Sequence, residues 1–284
     1  MNPLFPKNDA EKLIELALAE DFGAAGDLSS TLTLSKNEQS TAQILSKTKG
    51  VLAGLPIIPL IFEKMKTEVE LQLHFQDGDS VQKGDLIAEI KGTTIALLGA
   101  ERTLLNFLQQ LSGVATSTAA YVAETAGTHC QILDTRKTIP GWRTLQKYAV
   151  RCGGGTNHRI GLFDMIMLKD NHIAASGGVA PAIQKVLCSR PSSIPIEVEV
   201  ENLEQLEIVL PYPVEQIMLD NMDLETMKKA VERIRSYPHS AKIEASGNMT
   251  LDRIAAVAAT GVDYISIGAL THTIAALDLS MRFV

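Results

Sequence analysis

The chain has 284 residues, 45 % of them hydrophobic and 21 % charged, with a formal net charge of −7. That length allows one large or two modest soluble domains with a buried core, and the acidic balance argues against duplex DNA or an anionic membrane as the main partner. Cys130, Cys152 and Cys188 are widely separated and form no CxxC pair, so they read as reduced thiols of a cytoplasmic protein and not as a disulfide framework or zinc site.

The N-terminal stretch lacks the basic and apolar regions of a secretion signal. Residues 9–22 carry an amphipathic helical pattern, with Asn8 or Asp9 as cap and Leu13, Leu16 and Ala17 on one face. Residues 23–30 read as a loop. Alternation predicts strands over 42–48 and 69–75, with a short helix near 56–66 between them. The apolar run 51–62 is too short to cross a bilayer and contains Pro56 and Pro59. Asp77-Gly78-Asp79 and Lys83-Gly84-Asp85 are turn chemistry, and 86–90 returns as a strand. A long helical stretch follows from Thr94 to about Thr125, with Gly113 as a candidate break.

From Ile132 the pattern changes. Short apolar runs at 132–133, 165–168, 196–200, 216–219, 242–245 and 264–267 alternate with helical segments and end in polar residues. Such alternation implies parallel βα units. Reactive side chains at each strand end imply an α/β barrel with its site at the C-terminal ends. Six such strands argue against a complete eightfold barrel.

Between Asp134 and His172 lie seven Lys/Arg (Arg136, Lys137, Arg143, Lys147, Arg151, Arg159, Lys169) and three acids (Asp134, Asp164, Asp170), a local balance of +4 that leaves −11 for the remainder. A cationic island in an acidic protein points to a small polyanion. Arg136 and Lys137 follow the first barrel strand, where a guanidinium can clamp a carboxylate and an ammonium can meet a phosphate. Taken alone the pair would be a solvated loop; His158, Arg159 and Lys169 in the same section of barrel favour a site. Gly153–Gly155 permit positive φ and close approach of backbone to an anion. Strand alternation places Lys169 with Asn171 and Asp170 with His172 on opposite faces. Lys169 is then the residue aimed into the barrel mouth, and His172 is equally well a supporting or a structural group.

Glu197, Glu199 and Glu201 share one strand face, which is costly in a barrel interior unless cations compensate. With Asp220 at the next strand end, these acids suit Mg²⁺ carried by a diphosphate; a salt-bridge network with Arg and Lys is the competing reading. Ser246-Gly247-Asn248 and Gly268-Ala269 end the last two strands, where barrels often hold a phosphate on backbone N–H groups. His74, His129 and His239 have no companions in sequence and read as fillers; His272, just past Gly268, is more simply a filler too. Met165, Met167 and Met218 read as core.

The motifs TRKTIPGWR (135–143), GGGTNHR (153–159) and LKDNH (168–172), with 17–27, 50–54, 77–84, 101–116, 197–201, 219–221 and 244–248, run nearly end to end. Through them the chain resembles nicotinate-nucleotide diphosphorylases (carboxylating), the quinolinate phosphoribosyltransferase family. The resemblance implies an α/β fold: an N-terminal open α/β sandwich over residues 1–112, joined by the C-terminal tail 271–284, and an incomplete α/β barrel of fewer than eight strands over 113–270. It implies a homodimer with shared sites, in which Arg102 enters the partner's site. It implies phosphoribosyl transfer from 5-phosphoribosyl 1-diphosphate to quinolinate with decarboxylation, assisted by Mg²⁺, in de novo NAD biosynthesis. By the same resemblance Arg102, Thr135, Arg136, His158, Arg159 and Lys169 hold the pyridine dicarboxylate. Lys137, with Mg²⁺ placed by Glu199 and Asp220, meets the diphosphate and ribose; Lys137, Lys169, Glu199 and Asp220 form the catalytic set. Ser246, Gly247, Asn248, Gly268 and Ala269 hold the 5-phosphate. Two alternatives stand beside this reading. One is a paralogue of molybdenum transport operons acting on another acceptor; the other is a non-catalytic binder of phosphate metabolites.

Overall fold

The computed structural model describes residues 3–238 and 241–284. In chain order the elements begin with α1 (Lys7–Phe22), α2 (Leu28–Thr33), β1 (Gln39–Ser46), β2 (Gly50–Val51), α3 (Ile57–Lys64), β3 (Glu70–Leu73), β4 (Ser80–Val81), β5 (Leu86–Thr93) and α4 (Thr94–Ala123). There follow β6 (Gln131–Leu133), α5 (Arg143–Cys152), β7 (Ile166–Leu168), α6 (Asp170–Ser176), α7 (Val179–Ser189), β8 (Ile196–Val200), α8 (Leu203–Val209), β9 (Gln216–Asp220) and α9 (Leu224–Arg235). The chain closes with β10 (Lys242–Ser246), α10 (Ile254–Ala258), β11 (Tyr264–Ser266), α11 (Ala269–His272) and β12 (Leu279–Phe283).

Two compact units result. The first takes in the chain up to Ala119, Thr138–Gly154 and Ala269–Val284; the second is Ala120–Lys137 and Gly155–Gly268. In the first unit an antiparallel sheet runs in the order β12-β1-β5-β3. The C-terminal strand pairs with β1 from Ala42↔Phe283 to Ser46↔Leu279, so the chain's end completes a sheet begun near its start. One face of β1 and β5 buries Ala42, Ile44, Ala88 and Ile90, the period-2 pattern that drives such strands together.

Three expectations for this unit are corrected. α1 begins at Lys7 with Pro6 as its N-cap and no side-chain cap bond, so neither Asn8 nor Asp9 caps it. Its buried stripe is Ala10, Ile14 and Leu18, while Leu13, Leu16 and Ala17 line an open cavity. Residues 23–30 are not all loop: Asp27 accepts the Ser30 N–H at 3.0 Å and nucleates α2. α4 is unbroken at Gly113. That position needs glycine because a Cβ there would run into the backbone carbonyl of Ala275, which lies against the helix.

The second unit is a six-stranded sheet in the order β6-β11-β10-β9-β8-β7, with every pairing among the described residues parallel. β6 and β7 form its two ends, as in an incomplete barrel with helices between strands. β8 is buried along its whole length, the pattern of a parallel strand covered on both faces. Among the described residues no helix is long and apolar enough to cross a membrane.

Candidate active site

All six parallel strands bring a singled-out residue to their C-terminal half or just beyond it. Thr135, Arg136 and Lys137 follow β6, Lys169 follows β7, Glu199 lies in β8, Asp220 ends β9, Ser246 ends β10 and Gly268 follows β11. A cavity of about 170 Å³ opens there, lined by Thr135, Arg136, Lys137, His158, Arg159, Lys169 and Ser246 among others. Four cations therefore converge on one small space. Burial, and after it the neighbouring Arg136 guanidinium, push Arg159 below its ordinary pKa. The Arg159 guanidinium is fixed by donating to the Met165 carbonyl at 3.0 Å.

The residues of the cationic stretch fall in both units. Arg143, Lys147 and Arg151 belong to α5 of the first unit, and only the other four basic residues reach this cavity. Arg102 lies on α4 and lines a cavity of about 280 Å³ in the first unit, with Glu20, Asp21 and Trp142. The Trp142 ring there stacks on Phe107 with centroids 4.9 Å apart.

The loop carrying His158 and Arg159 is held from below by Asp134, which is fully buried. Its carboxylate accepts the His158 N–H at 2.8 Å and the Asn157 side-chain amide at 2.6 Å. The Arg159 N–H lies 2.7 Å from His158 Nδ1, a bond that the neutral ring accepts with its own proton on Nε2 and that protonation of Nδ1 breaks. Nε2 faces Glu197 Oε2 at 3.0 Å and Glu244 Oε2 at 3.3 Å. Gln216 bridges the same two acids, donating to Glu197 at 3.0 Å and Glu244 at 2.6 Å. Burial opposes charge on the His158 ring, as does the Nδ1 bond, while the two carboxylates favour it and pull its pKa upward. Burial and Glu244 together push Glu197 upward. The cost of burying Glu197 is thus met by an imidazole and an amide, while Glu199 pairs with the Lys169 ammonium at 2.8 Å. Glu201 is exposed beyond the strand.

Asp220 and the phosphate-loop candidates are linked. Ser246 sits opposite Asp220 in the β9–β10 register, and the Asn221 N–H donates to the Ser246 carbonyl at 3.0 Å. Gly247, Asn248, Gly268 and Ala269 continue from the ends of β10 and β11 but are outside the cavity's lining.

Several expectations change. β7 ends at Leu168 and Asp170 opens α6, so strand alternation does not govern residues 169–172. His172 instead accepts the Lys169 N–H on Nδ1 at 3.1 Å, a structural contact. Gly153 ends α5 and Gly154 turns in the left-handed region, and neither lines the cavity. Met167 and Met218 are buried and also line it. Glu244 and Ser266, which sequence reasoning passed over, line it as well. The period-2 spacing of Glu244 and Ser246 was the available signal. His74 and His129 do have companions, Glu89 at 3.4 Å and Asp263 at 3.7 Å; His272 contacts Thr273, and His239 lies outside the described residues. All three cysteines are free, and burial pushes Cys130 and Cys152 up to about 12.

Two family models match: quinolinate phosphoribosyl transferase N-terminal domain over residues 27–112 and C-terminal domain over 114–282. The chain belongs to the quinolinate phosphoribosyl transferase family. It is 43 % identical over 271 residues to the probable nicotinate-nucleotide pyrophosphorylase [carboxylating] of Bacillus subtilis, covering 95 % of this chain and 92 % of that one. It is 41 % identical over 298 residues to the chloroplastic nicotinate-nucleotide pyrophosphorylase [carboxylating] of Arabidopsis thaliana, covering 99 % and 84 %. The crystal structure of NadC from Streptococcus pyogenes superposes with a TM-score of 0.94 at 41 % identity, covering 100 % of this chain and 99 % of that one.

Proposed function

We propose that this quinolinate phosphoribosyl transferase family member transfers the phosphoribosyl group of 5-phosphoribosyl 1-diphosphate to quinolinate. Carbon dioxide is lost in the reaction, giving nicotinate mononucleotide and diphosphate for NAD biosynthesis. The observation that carries the reading is the convergence of Arg136, Lys137, Arg159 and Lys169 on one cavity of about 170 Å³. A site that crowds four cations is built for a ligand of high negative charge. Quinolinate brings two carboxylates, and its co-substrate brings a phosphate and a diphosphate.

In this reading Thr135, Arg136, Arg159 and Lys169 hold the dicarboxylate, with Arg102 supplied by the second subunit of a homodimer. His158 has both ring nitrogens turned to protein partners, so it shapes the dicarboxylate subsite as the wall behind Arg159. Lys137 meets the diphosphate, and Ser246, Gly247, Asn248, Gly268 and Ala269 meet the 5-phosphate. The ring nitrogen attacks the anomeric carbon as diphosphate departs, a step that positioning and fixed charge can carry. Loss of the C2 carboxylate as CO₂ then leaves an electron pair beside a cationic ring nitrogen, so the substrate supplies much of its own electron sink until that carbon takes up a proton.

The acids fit Mg²⁺. Glu199 already holds a cation, the Lys169 ammonium, and Asp220 ends the neighbouring strand, giving an all-oxygen donor pair of the kind Mg²⁺ takes beside phosphate oxygens. Bound there, Mg²⁺ would neutralise the leaving diphosphate. The sandwich spans about 1–112 with the tail 271–284, and the barrel spans 113–270 apart from Thr138–Gly154, which groups with the first unit. A cytoplasmic location accords with three free cysteines.

The test is an assay of the purified protein with Mg²⁺, 5-phosphoribosyl 1-diphosphate and either quinolinate or nicotinate, following mononucleotide and CO₂. Mononucleotide with equimolar CO₂ from quinolinate alone is expected. No turnover of quinolinate, with no binding of it, would overturn the reading.

A further inference from the structure

Asn221 adopts φ 55°, a left-handed conformation that asparagine tolerates better than other non-glycine residues. It follows Asp220 at the end of β9, and that conformation turns its side chain back into two contacts. Its Nδ2 donates to Asp220 Oδ2 at 2.6 Å, and its Oδ1 accepts from Asn248 Nδ2 at 3.2 Å. The orientation of the amide is unambiguous: a carboxylate can only accept, so the nitrogen must face Asp220 and the oxygen Asn248. A third bond, from the Asn221 N–H to the Ser246 carbonyl at 3.0 Å, closes the link between the two strand ends. Gly247 completes the fit, because a Cβ there would collide with the Asn221 carboxamide, and its φ of 92° is itself left-handed. Asn248, at φ 50°, is the second non-glycine left-handed residue of the same junction. Backbone held in such conformations is characteristic of functional sites.

We infer that Asn221 is a positioning residue that locks the Asp220 carboxylate to the Ser246–Gly247–Asn248 turn, fixing the distance between the diphosphate and 5-phosphate subsites. This rests on the proposed function, which assigns Asp220 and the turn to opposite ends of one ligand. Neither end needs Asn221 to bind its own group. The whole ligand needs it, because two subsites held at the right separation act with a high effective concentration, and subsites that drift do not.

Titration calorimetry tests the lock with three probes: 5-phosphoribosyl 1-diphosphate with Mg²⁺, ribose 5-phosphate, and diphosphate with Mg²⁺. Asn221→Gly keeps the left-handed backbone and removes both side-chain bonds. It should weaken the complete ligand by about tenfold or more while changing each half by less than about threefold. Asn221→Ala removes the same two bonds without adding a charge to an anion site. It should show the same selective loss, and serves if the glycine variant folds poorly. Equal weakening of all three probes, or undiminished affinity for the complete ligand, would overturn the inference. Asp220→Ala runs beside them. If it leaves affinity for the complete ligand unchanged, or if the unaltered protein binds none of it, the assignment of the subsites fails and takes the inference with it. If Asp220→Ala weakens binding and Asn221→Gly does not, only the lock is wrong.

Discussion

The Lys169 ammonium lies 2.8 Å from Glu199 Oε2, tying the residue that follows β7 to the middle of β8. Lys169 is nearly half exposed and Glu199 almost wholly buried, at 44 % and 9 % side-chain exposure. Lys169 lines the cavity and Glu199 does not, and each can exchange its partner, for substrate or for metal. Lys169→Ala removes one of four converging positive charges and leaves Glu199 uncompensated. A fall in kcat/KM for quinolinate of about 10²-fold or more is expected in steady-state kinetics. Near-normal activity would remove Lys169 from the site.

His158 makes stability depend on pH. Its pKa is pulled above the ordinary value of 6.5. A raised histidine stabilises the fold fully below its unfolded pKa, and that stabilisation is lost as pH rises through the folded value. The melting temperature of the native protein should exceed that of His158→Gln most at about pH 6, with the gap closing as pH rises. A gap that widens with pH would contradict the assigned contacts.

Gln216 donates to two buried acids at once. Gln216→Leu deletes both bonds and leaves the Glu197–Glu244 repulsion shielded by His158 alone. Breaking such a buried polar network costs about 3 kcal/mol or more, so chemical denaturation should shift to clearly lower midpoints. An unchanged midpoint would mean that the bridge contributes little.

Sharing of sites can be tested by mixing. Arg102→Ala and Arg136→Ala subunits, each inactive alone, should regain about a quarter of normal activity on random reassociation of a two-fold dimer. Recovery of none would show that Arg102 and Arg136 do not serve one site from different subunits.

Gly113→Val should destabilise the first unit by about 1–3 kcal/mol, the usual cost of overpacking. The Ala275 backbone stands where the new side chain must go. Hydrogen exchange should localise the loosening to β12 and its partner β1; uniform exchange would place the strain elsewhere.

The sequence by itself determined the four cations that line the cavity, though not Glu244, Ser266 or the two methionines beside them. Short apolar runs ending in Arg136–Lys137, Lys169 and Ser246 mark strand termini through period and chemistry together, and parallel strands of one sheet must bring such termini to one side. It also carried the family motifs from end to end. It did not show that the cationic stretch divides, since charge in sequence says nothing of which face a helix presents; α5 takes Arg143, Lys147 and Arg151 into the first unit. Nor did it show why Glu197 can be buried. His158, Gln216 and Glu244 come from a loop and two other strands, and only the register of the sheet sets them within bonding distance. Asn221 was likewise an ordinary strand-end residue until the β9–β10 pairing set it against Asn248. Local pattern fixes period and strand ends because those depend on neighbours in the chain. Charge compensation and positioning depend on neighbours in space, and only the tertiary structure supplies them.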